Sequence, residues 1–259
     1  MLPSKRGCEG NDCCRRPPKG PAAVELSQNH VLNSLTKSDA ILLTPSLQSV
    51  RLPLRYQMER SGRPIEYAYC PDDGIVSIVA DAGKDFSIEV GIIGHDSMTA
   101  HAVVMGTDRC ITSTFVQVEG HGQRIKVDDL RRAFALSPDL HRTMLAVVQA
   151  FYVQTTRTAL ANGRGTIEQR LARWLLMAHD RLDGDNLNLT HEFLAVMLGV
   201  QRPGVTVALK GLAVQELISI KRRLIKIQNR TGLVKLAKKI YGASEAEQAR
   251  LTGWTSSKD

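Results

Sequence analysis

Between Gln201 and Tyr241 the chain carries ten lysines and arginines against one acid, Glu216, a net of +9. Guanidinium and ammonium groups massed in one stretch make charge-assisted hydrogen bonds to phosphate and displace its counterions. The other segments lie nearer neutrality. Residues 1–20 hold five basic and two acidic side chains, 21–200 hold seventeen and twenty, and 242–259 hold two and three, which leaves a formal charge of +8. A polyanion partner is therefore expected at one place only. A solvated basic surface is the plainer reading of such a run.

No catalytic constellation competes with that segment. His95, His101 and His121 are the histidines of the strand-rich region, and they form no His-x-His pair that would hold a metal. A nucleophile elbow, a P-loop and a His-Glu-x-x-His are all missing, so no enzyme is expected. The five cysteines, Cys8, Cys13, Cys14, Cys70 and Cys110, are odd in number and contain no Cys-x-x-Cys. Free reduced thiols are expected rather than a disulfide framework, a metal site or a bound cofactor. The composition, 43% hydrophobic and 23% charged, is that of a globular protein. No run approaches the roughly 18 apolar residues of a membrane helix, and the polar stretch Met1–Gly20 lacks a signal-peptide core. A cytoplasmic protein without membrane contact is expected.

The elements that would position the basic segment follow from hydrophobic periodicity. Residues 1–25, with Pro3, Pro17, Pro18 and Pro21, read as a disordered leader. Leu26–Leu43 suits one or two short helices. From Val50 the apolar residues recur every second position, through Ile65, Tyr67 and Tyr69, Ile75–Val79, Phe86–Val90, Ile111–Val118 and Ile125–Val127, with turns such as Pro71-Asp72-Asp73-Gly74 between them. That is an antiparallel sandwich or barrel. At Asp128 the period becomes helical. Ser137-Pro138-Asp139 starts a helix whose Leu140, Met144, Val147, Phe151, Gln154 and Thr158 are spaced by four and three, which suits equally the seam of a helix pair and a single core helix packed on its own domain. Asn162-Gly163-Arg164-Gly165 should end it near residue 161.

Thr166-x-x-Gln169 is a capping box for a helix reaching about Arg181. Thr190 caps a short helix that ends at Gly199, and a second helix begins near Arg202, a helix-turn-helix arrangement. Leu194, Val200, Val205, Leu209 and Leu212 should face inward. Glu216–Ile220 and Leu224–Ile227 flank Lys221-Arg222-Arg223 as a hairpin wing with a basic tip. Charge and shape therefore coincide on a recognition helix and a wing. Gln201, Lys210, Lys221, Arg222 and Arg223 are assigned to phosphates, and Thr206 offers a hydroxyl one turn after Arg202.

Three phrases, Glu168–Leu176, Leu189–Ala195 and Leu198–Thr206, resemble the winged-helix domain of the Crp/Fnr family of bacterial transcription regulators. Arg60–Tyr69 and Gly91–Gly94 are similar to that family's β-roll. The resemblance spans about residues 45–240. It implies an α+β fold: an N-terminal antiparallel β-roll like a cyclic-nucleotide-binding jelly roll, a long dimerisation helix and a C-terminal winged helix-turn-helix. The expected organisation is a leader at 1–25, the β-roll sensor at 26–135, the dimerisation helix at 136–164, the winged helix at 165–240 and a tail at 241–259. It also implies a homodimer paired through Leu140, Met144, Val147, Phe151 and Thr158, binding double-stranded DNA at a palindromic operator and meeting RNA polymerase.

By position, Arg202 falls where the family reads a guanine, a contact that the guanidinium fork suits. The family's next polar contact is replaced by Pro203, and a second Arg by Val207, which can meet only an apolar group such as a thymine methyl. The familiar operator sequence is therefore not implied. Cyclic-nucleotide members of the family show Gly-Glu-Leu-Gly and Arg-Ser-Ala. Here Gly94-His95-Asp96-Ser97 and Asp108-Arg109-Cys110-Ile111 stand instead, so an unknown small-molecule effector, or none, is expected. The iron–sulfur branch is echoed by Cys8, Cys13 and Cys14 with Cys70 or Cys110, in number but not in spacing. The alternatives are a cyclic-nucleotide-gated regulator and a scaffold whose basic winged helix binds protein.

Overall fold

The computed structural model describes residues 27–83, 86–222 and 224–258. The expected leader, with Cys8, Cys13 and Cys14, and the wing-tip Arg223 lie outside the described residues.

Two short helices, α1 (His30–Asn33) and α2 (Lys37–Leu43), precede seven strands: β1 (Gln48–Leu52), β2 (Gln57–Glu59), β3 (Tyr67–Pro71), β4 (Ile75–Asp81), β5 (Ser87–Ile93), β6 (Thr112–Val118) and β7 (Gly120–Lys126). A one-turn helix, α3 (His101–Val104), lies between β5 and β6. All pairings are antiparallel, in a three-stranded sheet ordered β1-β7-β3 and a four-stranded sheet ordered β2-β6-β4-β5. Period-two alternation sends Leu52, Tyr69, Val76, Ile78, Ile93 and Val116 into the roll between the sheets. The expected β-roll is therefore present.

The helical half begins with α4 (Val127–Leu136) and α5 (Pro138–Arg164). Ser137 caps α5 by accepting the Leu140 N–H, with Pro138 in the first turn. The helix runs through Asn162 and Gly163 to Arg164, three residues past the expected break. Along α5, Leu140, Met144 and Val147 join the core formed by α1–α4 and β7. Phe151 packs on β5 at Gly91, where a Cβ would lie 2.6 Å from the Phe151 ring. Gln154 follows one turn later. Its Oε1 accepts the Ile92 N–H at 2.7 Å and its Nε2 donates to the Ile92 carbonyl at 3.2 Å, so one side-chain amide takes the place of a further strand beside β5.

The winged helix comprises α6 (Ile167–Arg181), β8 (Asn186–Asn188), α7 (His191–Leu198), α8 (Arg202–Val214), β9 (Ile218–Lys221), β10 (Leu224–Ile227) and α9 (Arg230–Ala237). The expected capping box is formed: Thr166 Oγ1 accepts the Gln169 N–H and Gln169 Oε1 accepts the Thr166 N–H. Strand β8 pairs with β10 and widens the wing into a three-stranded sheet ordered β8-β10-β9. Residues 241–259, expected as a tail, contain α10 (Ala243–Thr252), which packs along α5.

The roll and the winged helix share one core. Ile75 and Ile92 project from the outer face of the four-stranded sheet into the cluster made by Leu171, Leu175, Met197, Leu198 and their neighbours. Every residue of α6 from Leu171 to Arg181 is buried as a result, His179 among them. Two buried carboxyl groups make polar contacts across this junction. Arg181 makes a bidentate pair with Asp96, Nη2 to Oδ2 at 2.7 Å and Nε to Oδ1 at 3.0 Å. Gln248 of α10 donates to the same Oδ2 at 2.6 Å, and Trp254 lies against the guanidinium. The second contact is Glu89, whose Oε1 accepts the Trp174 indole N–H at 2.6 Å while Ser77 donates to Oε2.

Burial pushes the Glu89 carboxyl up to about 8 from an ordinary 4.5, against opposing hydrogen bonds from Ser77 and Trp174 and the charges of Arg173 and Arg181. The folded chain therefore keeps a proton that the unfolded chain releases above pH 4.5, and this contribution to stability is lost as pH rises through about 8. Thermal unfolding from pH 5 to 9 should show this decline, and Glu89→Gln, which keeps both hydrogen bonds, should flatten it. Equal pH slopes for the two proteins would assign the decline to other groups.

Candidate nucleic-acid interface

Helices α7 and α8 cross at 102°. The turn between them depends on Gly199, whose φ of +56° is left-handed and whose Cβ would lie 2.7 Å from Ile88 Cδ1 on β5. A side chain there is opposed twice, by backbone conformation and by the neighbouring strand. Thr190 caps α7 by accepting the Phe193 N–H. Leu194, Val205, Leu209 and Leu212 are buried as expected, and Val200 is partly buried.

That burial turns the opposite face of α8 outward. Gln201, Arg202, Pro203, Val207, Lys210 and Val214 are exposed, Val207 by 68%. Lys221 and Arg222 are exposed at the wing. Gln201, Arg202, Lys210, Lys221 and Arg222 thus all lie exposed to solvent. Arg202 is held there by Glu192 of α7, Nη1 to Oε1 at 2.9 Å, both side chains more than half exposed. The Glu192 carboxyl sits below its usual range, first through its own backbone N–H at the helix start and then through the Arg202 charge.

Thr206 is placed differently from its expected role. Its hydroxyl donates to the Arg202 carbonyl at 3.2 Å and lies 3.1 Å from His191 Nδ1, so it ties α7 to α8 instead of standing free. Arg230, one of the ten basic residues, is also drawn inward: Nη2 meets Asp180 Oδ1 at 2.8 Å and the Tyr241 hydroxyl at 3.0 Å. Lys226 was not singled out by its sequence. Alternation along β10 buries Ile225 and Ile227 and turns Lys226 outward beside Ser219 and Asn186, in the shallow groove that also holds Lys221. Period-two reading of Leu224–Ile227 was the signal available for it.

Three of the five residues expected at a dimer interface are taken up by the chain's own core. Leu140, Met144 and Val147 are at most 3% exposed and belong to the chain's own core. Phe151 covers Gly91, and Thr158 donates to the Gln154 carbonyl and accepts from Arg173. A second stripe with the same alternation of four and three runs along the outer face of α5: Leu145, Gln149, Tyr152, Thr156, Ala159 and Gly163, all exposed.

The sensor residues are equally informative. Arg109 is half exposed, and its guanidinium is held by the adjacent Asp108. Asp96, in the segment that replaces the family's Gly-Glu-Leu-Gly, is engaged by Arg181. Neither is free to cradle a cyclic phosphate or a ribose as placed. Burial pushes the Cys70 thiol up to about 12 and raises that of the half-buried Cys110, which disfavours the thiolate that a cluster would need. Among the described residues no group of three or more His, Cys, Asp or Glu side chains could hold a metal ion, and no single helix is long and apolar enough to cross a membrane.

Residues 169–236 match the model of the Crp-like helix-turn-helix domain. The chain carries a Crp-like winged helix. The match covers α6 through most of α9, the same elements that present Arg202, Lys210 and the wing. No curated protein matches the chain in sequence. Solved structures extend the likeness beyond the Crp-like domain. A Crp/Fnr-family transcriptional regulator from Eubacterium rectale superposes with a TM-score of 0.63 at 16% identity, covering 80% of this chain and 97% of its own. FixK2 from Bradyrhizobium japonicum gives 0.62 at 18% identity, covering 74% and 98%. CLP from Xanthomonas campestris, described as a c-di-GMP responsive global regulator, gives 0.58 at 21% identity, covering 74% and 99%. At these identities the likeness is one of fold. The chain has the Crp/Fnr architecture of β-roll, long helix and winged helix.

Proposed function

We propose that the protein is a homodimeric, sequence-specific DNA-binding transcription regulator of the Crp/Fnr type. The observation that supports this reading is the exposure of Gln201, Arg202, Lys210, Lys221 and Arg222 on α8 and the wing of a Crp-like domain. Arg202 reads a guanine through O6 and N7, exchanging its Glu192 partner for the base edge. Val207 packs against a thymine methyl. Gln201, Lys210, Lys221, Lys226, Arg222 and Arg223 hold phosphates, which set position and not sequence.

Two subunits pair through the outer stripe of α5, from Leu145 to Gly163. Their recognition helices then enter major grooves about 34 Å apart on a palindromic site. Small residues at Ala159 and Gly163 permit close helix approach at the end nearest the winged helix. RNA polymerase is the partner that such a DNA-bound regulator would meet. Tyr152, 62% exposed at the centre of the stripe, is the position most sensitive to charge. Tyr152→Glu should convert a dimer to a protomer in sedimentation velocity while leaving the circular dichroism spectrum unchanged. Persistence of the wild-type mass would remove α5 from the interface.

The experiment that tests the function is selection of genomic fragments on the purified full chain, followed by sequencing and gel shifts at several salt concentrations. A recovered two-fold symmetric site, with affinity falling linearly on a log–log salt plot, supports the proposal. Binding without sequence preference would leave a scaffold with a basic surface.

A further inference from the structure

The C-terminal turn of α5, the first turns of α6, the end of α7 and strand β5 enclose a cavity of about 20 Å³. Its polar lining is Glu89, Thr158, Asn162, Arg170, Arg173 and Trp174. Two guanidiniums in so small a space are unusual, and their hydrogen bonding is incomplete. Arg173, 4% exposed, donates from Nη1 to Thr158 Oγ1 at 3.2 Å and from Nη2 to the Gln154 carbonyl at 3.5 Å. Arg170 donates from Nη2 to the Leu198 carbonyl at the helix-turn-helix turn. The Nε of each is buried and meets no acceptor.

The charge balance is equally incomplete. Among the described residues no carboxylate oxygen lies within 4.0 Å of either guanidinium. Glu89 is the only acid on the lining, and both its oxygens are engaged by Trp174 and Ser77. Its raised pKa of about 8 leaves it mostly protonated at neutral pH. Burial lowers the pKa of both arginines, and at Arg173 the charges of Glu245 and Glu89 oppose that shift without overcoming it. A buried charge without a partner costs several kcal/mol.

We propose that this cavity binds one small monovalent inorganic anion, of the size and charge of chloride, between Arg170 and Arg173. The volume decides the class. It exceeds the roughly 10–15 Å³ that one water-sized sphere needs, and it cannot hold the five heavy atoms of a phosphate. A water molecule would accept the two N–H groups without cancelling their charge. The site joins the end of the long helix to the carbonyl that closes the helix-turn-helix turn. The anion therefore acts as a structural ligand at the junction between dimerisation and DNA-binding elements.

The test uses the full chain without DNA, so its failure is separate from failure of the proposed function. Crystals grown or soaked in bromide should show an anomalous difference peak within hydrogen-bond distance of Arg170 Nε and Arg173 Nε. Absence of that peak overturns the proposal. In solution, Tm should rise saturably with sodium chloride relative to sodium isethionate at equal ionic strength, because isethionate is too large for the cavity. Arg173→Met should abolish the difference and Arg173→Lys should weaken it. An undiminished chloride response in a folded Arg173→Met protein also overturns the proposal. If that variant does not fold, the bromide peak of the wild-type protein decides alone.

Discussion

Replacing Arg181 by Met should lower the stability of the folded chain by about 3–5 kcal/mol, because it strands the buried Asp96 carboxylate beside Gln248 with no charge to balance it. Both side chains are 1% exposed, and the bidentate geometry leaves no room for water to substitute. Asp96→Ala should cost a similar amount by leaving the guanidinium unpaired. The double variant Asp96→Ala with Arg181→Met should recover much of the loss, since neither buried charge then remains. Chemical denaturation of the four proteins checks this, and strictly additive losses would show that the two residues do not act as a pair.

The same pair has a pH signature. Burial alone would raise the Asp96 carboxyl, but the Arg181 charge and the hydrogen bonds of Gln248 and Arg181 outweigh it and hold the group below its usual 3.8. A depressed acid contributes stability that is present above the unfolded pKa and is lost as pH falls through the lower folded value. The double variant lacks this term, so on acidification its stability should fall less from its value at neutrality than that of the wild type.

Arg202→Ala should reduce affinity for the selected operator by about 1–3 kcal/mol, roughly five- to 160-fold, while changing affinity for random DNA little. The side chain is exposed and its partner Glu192 is exposed as well, so the substitution leaves no buried group unsatisfied and the fold should be unaffected. Glu192→Gln separates two effects. It removes the carboxylate that competes with the base edge, so operator affinity should rise slightly. Removal of Lys221 and Lys226 should instead weaken every DNA alike and flatten the salt dependence. Equal losses on operator and random DNA for Arg202→Ala would assign that arginine to the phosphate backbone.

Local patterns in the sequence were sufficient for most elements. The alternation of Ile65, Tyr67 and Tyr69, the capping box at Thr166 and the glycine turn at Gly199 each produced the element that local physics favours. Long-range choices were not legible in that way. Helix α5 carries two stripes at the same four-and-three spacing, and spacing alone cannot say which one meets a partner. The more apolar stripe, with Leu140, Met144, Val147 and Phe151, is used inside the chain, where burial is permanent. The outer stripe carries Gln149, Tyr152 and Thr156, polar or amphipathic side chains that are exposed to water.

Contacts between residues distant in sequence were equally hidden. Asp96 and Arg181 are separated by 85 positions, and Gln248 reaches the same carboxylate across 152. Neither Asp96 nor Gln248 has a neighbour whose type announces a partner. Thr206 shows the reverse case, a residue in the expected place whose hydroxyl is taken by His191 and the Arg202 carbonyl. The charge count overstated the interface for a similar reason, since Arg230 turns inward to Asp180 and Tyr241.

The pairing of Gln154 with Ile92 bears on how copies of the chain can meet. An open sheet edge is a template on which any extended chain can add a strand, and such growth has no natural end. Here the edge beside β5 is occupied by a side chain that donates and accepts as a peptide would. Another chain would have to lift α5 away before it could add there. Self-association at this side of the molecule is thereby directed to helix faces, which close on one partner and stop, and away from strand addition, which leads to fibres.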